Sequence, residues 1–151
     1  MVKVKLPLLK KLRNETSVSI ADLRKALEET NNDYKKALGW AKKHGIETAE
    51  KKADRQTAQG IIESYIHQNG KVGVIVELLC ETDFVARTNE FKSLAHEIAM
   101  QVAAMAPSDV AELLKQEYIR EPSIKIQDLI KQTIAKLGEN IVVKRFERFE
   151  I

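Results

Sequence analysis

The sequence predicts an α+β protein in which a three-helix bundle precedes a three-stranded antiparallel sheet covered by helices. Apolar residues recur every three or four positions over residues 7–45 and again from residue 89, which is the spacing of amphipathic helices. Between these stretches, Asn69-Gly70 separates two runs of strand-favouring residues, and Asn-Gly supplies the positive φ angles of a tight hairpin turn. The change of period therefore indicates a mixed fold.

Three short helices are expected at the N-terminus. Pro7 suits the first turn of the first helix, because its fixed φ is compatible with helix and its missing N–H costs nothing there. Ser19 can cap the second helix, and Asn31 or Asn32 can cap the third. Gly45 stands where a left-handed residue could end the third helix.

The chain is expected to divide into a basic module and a larger, mildly acidic one. Residues 1–46 form the helical module, residues 47–57 lack apolar periodicity and form a linker or solvated connector, and residues 58–151 form the core domain. Residues 1–53 contain 13 basic and 7 acidic side chains, and residues 54–151 contain 12 and 15. This asymmetry favours an oriented encounter with a partner, although lysines that merely keep the protein in solution explain it equally well.

The core domain should contain further helices and a final strand. The apolar spacing predicts a long helix at 89–105, a shorter helix capped by Ser108, and another helix at 126–137. The tail from residue 141 is predicted to be a strand, because apolar and charged residues alternate after Val143, but Phe146 and Phe149 are three positions apart and so would face opposite sides. We therefore expect a bulge or a frayed end in this third strand.

Recognisable catalytic and cofactor-binding patterns are missing, so we predict no cofactor, no metal and no covalent catalysis. His44, His67 and His96 are scattered along the chain without a second ligand at metal-binding spacing. Cys80 is the only cysteine, which excludes an internal disulfide and indicates a structural thiol in a strand. The two glycines at 70 and 73 are not followed by the Lys-Ser or Lys-Thr of a phosphate-binding loop.

Binding to nucleic acid or to a membrane is not expected either. Aromatic residues make up 5% of the chain and are not interleaved with basic residues as on single-stranded RNA platforms. No apolar run approaches the ~18 residues of a membrane-spanning helix. The N-terminal residues lack the apolar stretch and cleavage site of a secretory signal, so a cytoplasmic protein, or one of an organelle matrix, is expected.

The segment Thr82-Asp83-Phe84-Val85 lies where a predicted strand gives way to a helical pattern. Thr82 can cap the helix start, Asp83 is favourable at the positive end of a helix, and Phe84 is a large apolar ring on the first turn. Phe84 also precedes Phe91 by seven residues, so periodicity alone favours placing its ring in the core.

Three segments together resemble the elongation factor Ts family. CETDFVAR, residues 80–87, closely resembles the family's signature after the Asn-Gly hairpin. Residues 12–46 are similar to its ubiquitin-associated-type (UBA-like) three-helix module, with Ser17 and Ser19 where the family commonly has glycines. KLGENIVVKRFERFE, residues 136–150, is similar to its helix-to-final-strand segment. These matches follow the family's order over most of the chain.

The resemblance implies a guanine nucleotide exchange factor of translation elongation that binds elongation factor Tu in its GDP-bound and nucleotide-free forms. Thr82, Asp83, Phe84 and Val85 would form the wedge that enters elongation factor Tu beside its Mg²⁺ and GDP. In the N-terminal module we expect Leu12, Arg13, Ile20 and Arg24 to be exposed and to contact the same partner. The short length resembles forms that pair with themselves, which implies a homodimer and a complex of two Tu with two Ts chains.

Two other function classes stay open at this point. An adaptor without exchange activity could use the UBA-like module to bind ubiquitin-like or nascent-chain partners. An RNA-binding domain would show an affinity that falls steeply with salt concentration. Neither hypothesis explains the hairpin and the corner at residues 82–85.

Overall fold

Along the residues that the structure describes, three helices come first, and five strands interspersed with four helices follow. The computed structural model describes residues 2–16 and 18–151, so that Ser17 lies outside the described residues. These residues contain the following elements: α1 (Leu6–Thr16), α2 (Ile20–Glu29), α3 (Tyr34–Glu50), β1 (Gln59–Ile66), β2 (Val72–Cys80), α4 (Asp83–Ala86), α5 (Asn89–Met105), α6 (Val110–Lys115), β3 (Glu117–Tyr118), β4 (Glu121–Lys125), α7 (Ile126–Leu137) and β5 (Ile141–Glu150). The predicted α+β class, with an N-terminal three-helix bundle, is confirmed.

The second and third helices of the bundle begin at polar caps, one of which was predicted correctly. Ser19 caps α2, because its hydroxyl accepts a hydrogen bond from the Asp22 amide at 3.1 Å. The cap of α3 is Asp33 rather than Asn31 or Asn32, and its carboxylate accepts from the Lys36 amide at 3.1 Å. Both asparagines instead adopt left-handed backbone angles, φ 58° and 62°, in the turn before it.

The prediction that Gly45 ends the third helix is wrong. Helix α3 continues to Glu50, and Gly45 is a buried residue in its interior. A Cβ atom at this position would lie 3.0 Å from the Cβ of Ala135 on α7. The glycine therefore allows α3 to approach α7 closely, and this packing outweighs its weak helix propensity. The first residues of the predicted linker are helical, and the division at residues 46 and 57 stays a prediction.

The sheet has the order β1-β2-β5, with both pairs antiparallel. Helix α5 packs against β1 and β2 and buries Val74, Val76 and Leu78 of the central strand. The pairing of β2 with β5 shifts between Glu77 and Leu78, where Lys144 is the extra residue. A bulge was one of the two predicted alternatives for this strand, but it lies before Phe146 and not between Phe146 and Phe149, where the pairing is regular. The two rings have opposite parities because Phe146 packs against the core and Phe149 is exposed on the other face.

The remaining helices match their predicted positions closely. Helix α5 spans the predicted residues 89–105, and α7 ends at Gly138, whose φ is 79°. Helix α6 is capped by Asp109 rather than by the predicted Ser108, because the Asp109 carboxylate accepts from the Glu112 amide at 2.8 Å. The short hairpin of β3 and β4 was not predicted. None of the described helices combines the length and apolar character needed to cross a membrane.

Candidate partner-binding corner

The chain turns twice between β2 and α5, and a threonine caps each new helix. The Thr82 hydroxyl accepts from the Val85 amide at 3.3 Å and so starts the one-turn helix α4. The Thr88 hydroxyl accepts from the Phe91 amide at 3.2 Å and donates to the Val85 carbonyl at 2.7 Å. Because α4 ends before α5 begins, residues 83–86 form a separate protruding turn.

Phe84 lies at the tip of this turn and is 85% exposed. Asp83 is also exposed and forms an ion pair with Arg87, one helical turn later. The next two side chains point inward: Val85 packs against the core and Ala86 is buried. Consequently the corner presents an aromatic ring beside a carboxylate and anchors the turn with two small apolar side chains.

A reciprocal set of hydrogen bonds holds the corner from behind. The Glu139 carboxylate accepts from the Thr82 amide at 2.9 Å and from the Thr82 hydroxyl at 2.7 Å. In return, the Glu81 carboxylate accepts from the Asn140 amide at 2.9 Å. We refer to Glu81, Thr82, Glu139 and Asn140 as the clasp. It joins the start of α4 to the loop between α7 and β5.

The segment that leads from the helical bundle to β1 also reaches the clasp. The side-chain amide of Asn140 donates to the carbonyl groups of Ala53 at 3.2 Å and Arg55 at 2.9 Å. The Arg55 guanidinium lies 3.7 Å from the Glu81 carboxylate. Asn140 is only 4% exposed, so these bonds form largely out of water, where hydrogen bonds are stronger. Three distant segments of the chain therefore meet behind the corner.

Cys80 closes the core directly below the corner. Its thiol is fully buried and donates to the Thr82 carbonyl at 3.1 Å. Burial, followed by the negative charge of Glu139, raises the pKa of the Cys80 thiol to about 11. A thiol with this pKa stays protonated near neutral pH and is a poor nucleophile, which agrees with the structural role expected from the sequence.

The N-terminal candidates do not all lie on the surface. Ile20 is 55% exposed, and Arg24 is exposed on the same helix. The exposed Arg13 donates to the Val18 carbonyl at 2.7 Å, so part of its guanidinium is engaged within the bundle. The expectation that Leu12 is exposed is wrong, because Leu12 lies on the inner face of α1 and is completely buried.

Sequence reasoning missed the residues behind the corner. Glu139 and Asn140 fall inside the segment that resembled the family, but no spacing rule connects them to Thr82, which lies 57 residues before Glu139. The histidines contact other side chains: His44 approaches Asp22, and His96 approaches Glu63. Throughout residues 2–16 and 18–151, no cluster of three or more His, Cys, Asp or Glu side chains could hold a metal ion.

Comparisons with known proteins identify the family of this sequence. The sequence model of the family Elongation factor TS matches residues 81–151, which include both sides of the clasp. Over 99% of its length the chain is 42% identical to elongation factor Ts of Thermotoga maritima and covers 97% of that protein. The chain belongs to the elongation factor Ts family. It is therefore a translation elongation factor, as the resemblance implied.

Other elongation factor Ts proteins show how widely the similarity extends. The chain is 40% identical to the protein of Rippkaea orientalis, of which it covers 78%. It is 42% identical to the chloroplastic elongation factor Ts of Guillardia theta, of which it covers 86%. Because 99% of these 151 residues align over 193 positions with the Thermotoga maritima protein, roughly 44 positions of that alignment have no counterpart here. This chain is thus a shortened elongation factor Ts.

Proposed function

We propose that this elongation factor Ts is a guanine nucleotide exchange factor that binds elongation factor Tu·GDP, promotes release of GDP and forms no covalent bond. The observation that carries the proposal is the 85% exposure of Phe84 on a turn fixed by hydrogen bonds. Leaving such a ring in water forgoes about 1.5–3 kcal/mol of burial energy. An ordered, exposed aromatic side chain is therefore available to fill a cavity in a partner.

Asp83 and Phe84 are proposed to enter elongation factor Tu beside its Mg²⁺ and GDP, with Thr82 and Val85 supporting them. A ring inserted between packed elements forces them into another arrangement, because protein interiors are close-packed and switch between discrete states. Mg²⁺ needs near-ideal octahedral geometry, so a small displacement of its ligands weakens its hold. The phosphates that it neutralises then dissociate more readily.

The proposed cycle follows from thermodynamic linkage. If binding of elongation factor Ts lowers the affinity of elongation factor Tu for GDP, bound nucleotide must lower its affinity for elongation factor Ts by the same factor. Entry of a new nucleotide therefore releases the exchange factor. No chemical step on this chain is needed, so the factor is regenerated without any covalent intermediate.

The helical bundle is proposed as a second contact with elongation factor Tu. Ile20 is an exposed apolar side chain at the start of α2, and Arg24 lies one turn further along the same helix. On α1, Arg13 donates to the carbonyl of Val18, two residues before Ile20, and so places a further positive charge close to the start of α2. Leu12 is not part of the proposed contact, because it is buried. Such a contact would fix the orientation in which the corner approaches its partner.

A second copy of the chain is proposed to cover the outer face of the sheet, giving a complex of two Tu and two Ts chains. This face, opposite α5, bears exposed apolar side chains from all three strands: Ile62, Ile66, Ile75, Val142 and Phe149. An apolar patch of this kind is typical of an interaction site, and a twofold axis lets one patch cover itself. Sedimentation should show a dimer that Phe149→Lys converts to a monomer, whereas a monomeric wild-type protein would contradict this part of the proposal.

The compartment is proposed to be the bacterial cytoplasm, or an organelle matrix if the chain is a processed form. These are compartments in which elongation factor Tu and ribosomes occur together. The name of the Guillardia theta relative places that protein in the chloroplast, which supports the organelle alternative. Fractionation of the source cells followed by immunodetection would decide between the two compartments.

The direct test measures release of fluorescently labelled GDP from elongation factor Tu. Phe84→Ala should slow the stimulated release by at least about tenfold, equivalent to about 1.4 kcal/mol of interaction. Met105→Ala is the matched control, since Met105 is an exposed apolar side chain far along α5, and it should leave the rate unchanged. A wild-type protein that fails to stimulate release would contradict exchange activity and favour the adaptor hypothesis.

A further inference from the structure

We infer that Glu139 is a positioning residue for the Asp83-Phe84 turn and that it acts through the hydroxyl group of Thr82. This inference rests on the proposed function, because it concerns how the proposed wedge is held ready. Glu139 lies in the loop after α7 and is far from the tip in sequence. Among residues 2–16 and 18–151, both hydrogen bonds of its carboxylate come from Thr82, one from the amide and one from the hydroxyl, which makes its role specific.

Helix α4 is too short to be stable by itself. It has four residues, and forming a first helical turn is unfavourable because several backbone angles are fixed for a single hydrogen bond. Two contacts hold it from inside, through Val85 and Ala86. Its start depends on the bond from the Val85 amide to the Thr82 hydroxyl, so the orientation of that hydroxyl decides whether the turn is capped.

Glu139 fixes this orientation. A threonine hydroxyl has one proton to donate and two lone pairs that can accept. The proton points to Glu139 at an oxygen–oxygen distance of 2.7 Å, which leaves a lone pair directed at the Val85 amide. The second carboxylate oxygen accepts from the Thr82 amide at 2.9 Å and fixes the backbone as well. Hydrogen bonds to a charged acceptor are roughly twice as strong as neutral ones, so Thr82 is held in one conformation.

A partner that requires an ordered corner would be sensitive to the loss of this bond. When only a fraction of the molecules is in the binding-competent conformation, the apparent affinity falls by that fraction. If α4 were ordered in about one molecule in ten, elongation factor Tu would bind about tenfold more weakly. The surrounding fold would survive, because Glu81, Asn140 and Arg55 still connect the same segments.

The test combines exchange kinetics with a local measure of order in the full-length chain. At limiting concentrations of the exchange factor, Glu139→Ala and Thr82→Val should each slow GDP release from elongation factor Tu about tenfold. This is the factor expected when α4 is ordered in only about one molecule in ten. The double variant should be no slower than either single variant, because both changes remove the same interaction. Thr82→Ser retains the hydroxyl and should restore release to within about twofold of wild type, a difference that corresponds to a few tenths of a kcal/mol.

Amide hydrogen exchange reports on the corner in the absence of any partner. The Val85 amide should exchange at least about tenfold faster in Glu139→Ala and in Thr82→Val, while amides in the β2 strand stay protected. Glu47→Ala is the matched control, because Glu47 is an exposed glutamate on α3 with no bond to the corner. It should alter neither the exchange of Val85 nor the release of GDP.

The possible outcomes separate the two proposals. If Phe84→Ala slows release but Glu139→Ala and Thr82→Val stay within about twofold of wild type, well below the tenfold expected, the role of Glu139 is overturned and the exchange function stands. If Phe84→Ala has no effect, the wedge itself is overturned and the role of Glu139 falls with it. Should Glu139→Ala fail to fold, the contrast between Thr82→Val and Thr82→Ser decides in the same way.

Discussion

Phe84 and Phe91 are seven residues apart, yet one is 85% exposed and the other is completely buried. Residues seven apart lie on the same face only along an uninterrupted helix. Here Thr88 caps a new helix between them, so the two rings belong to elements with different directions. The comparison shows that the spacing of apolar residues predicts a shared face only within one helix. It does not apply across a residue that caps a second helix.

The two regions are also stabilised by different forces. Phe91 belongs to a cluster of buried apolar side chains from the sheet, α5 and α7, where burial dominates. The corner around Phe84 depends on hydrogen bonds of Thr82, Thr88 and Glu139. Because those bonds do not involve the ring, Phe84 can serve a partner without weakening the fold.

The largest expected effect is on the stability of the core. Phe91→Ala should lower the free energy of unfolding by about 3–5 kcal/mol, as expected for a large buried ring whose loss leaves a cavity. Phe84→Ala should change it by less than about 0.5 kcal/mol, since an exposed side chain far from such contacts contributes little. Denaturant unfolding of both variants measures the difference. A comparable loss at both positions would remove the distinction between the two regions.

The next largest effect concerns Cys80, which lies between the core and the corner. Its pKa is raised from 9.0 to about 11 in the folded protein, so folding favours the neutral thiol. The corresponding stabilisation is complete below pH 9 and is lost as the pH rises through 11, by about 2–3 kcal/mol in total. Denaturant unfolding from pH 8 to 11 should show this decrease.

The control for this prediction is Cys80→Ala, which has no thiol to ionise. Tyr34, whose pKa is raised to about 12 mainly by its hydrogen bond with Glu15, is present in both proteins. Subtracting the pH profile of the variant from that of wild type therefore isolates the thiol. Parallel profiles for the two proteins between pH 8 and 11 would show that the Cys80 thiol does not titrate differently on unfolding.

The smallest effect is expected for the ion pair on the surface of the corner. The side chains of Asp83 and Arg87 are 53% and 76% exposed, so water and salt screen their attraction. Arg87→Ala should therefore lower the free energy of unfolding by about 0–1 kcal/mol, and the difference should shrink in concentrated salt. Unfolding at low and high ionic strength measures it. A larger, salt-independent loss would mean that packing rather than charge holds this side of the corner.

Much of the fold could be predicted from local patterns. The two strands around Asn69-Gly70, the span of α5 and the caps at Ser19 and Thr82 were predicted correctly, because each depends on residues a few positions apart. In the hairpin turn Gly70 has the predicted positive φ, 72°, whereas Asn69 does not. The errors arose where packing overrode a local preference. Gly45 continues a helix because Ala135 lies against it, and Leu12 is buried because α1 turns that face inward.

More than one residue was a plausible cap for α3 from the local sequence, and the tertiary contacts decided which one is used. Asn32 was a reasonable cap for α3, but its side chain instead accepts from the Lys5 amide and donates to the Lys3 carbonyl, both at 3.0 Å. These bonds connect the N-terminal segment to the bundle, and Asp33 caps α3 instead. The hairpin of β3 and β4 was missed because β3 has only two residues, too few to show alternation.

Local sequence patterns were sufficient to predict most of the helices, the hairpin and the threonine cap of the corner, because these bonds connect groups within about four residues of one another. The outward direction of Phe84, and the positions of Glu139 and Asn140 behind it, follow from the packing of the folded chain. The bonds of the clasp connect residues 57 and 59 positions apart. Such contacts exist only when α7 is packed on the core and β5 is paired with β2, so no local pattern in the chain can specify them.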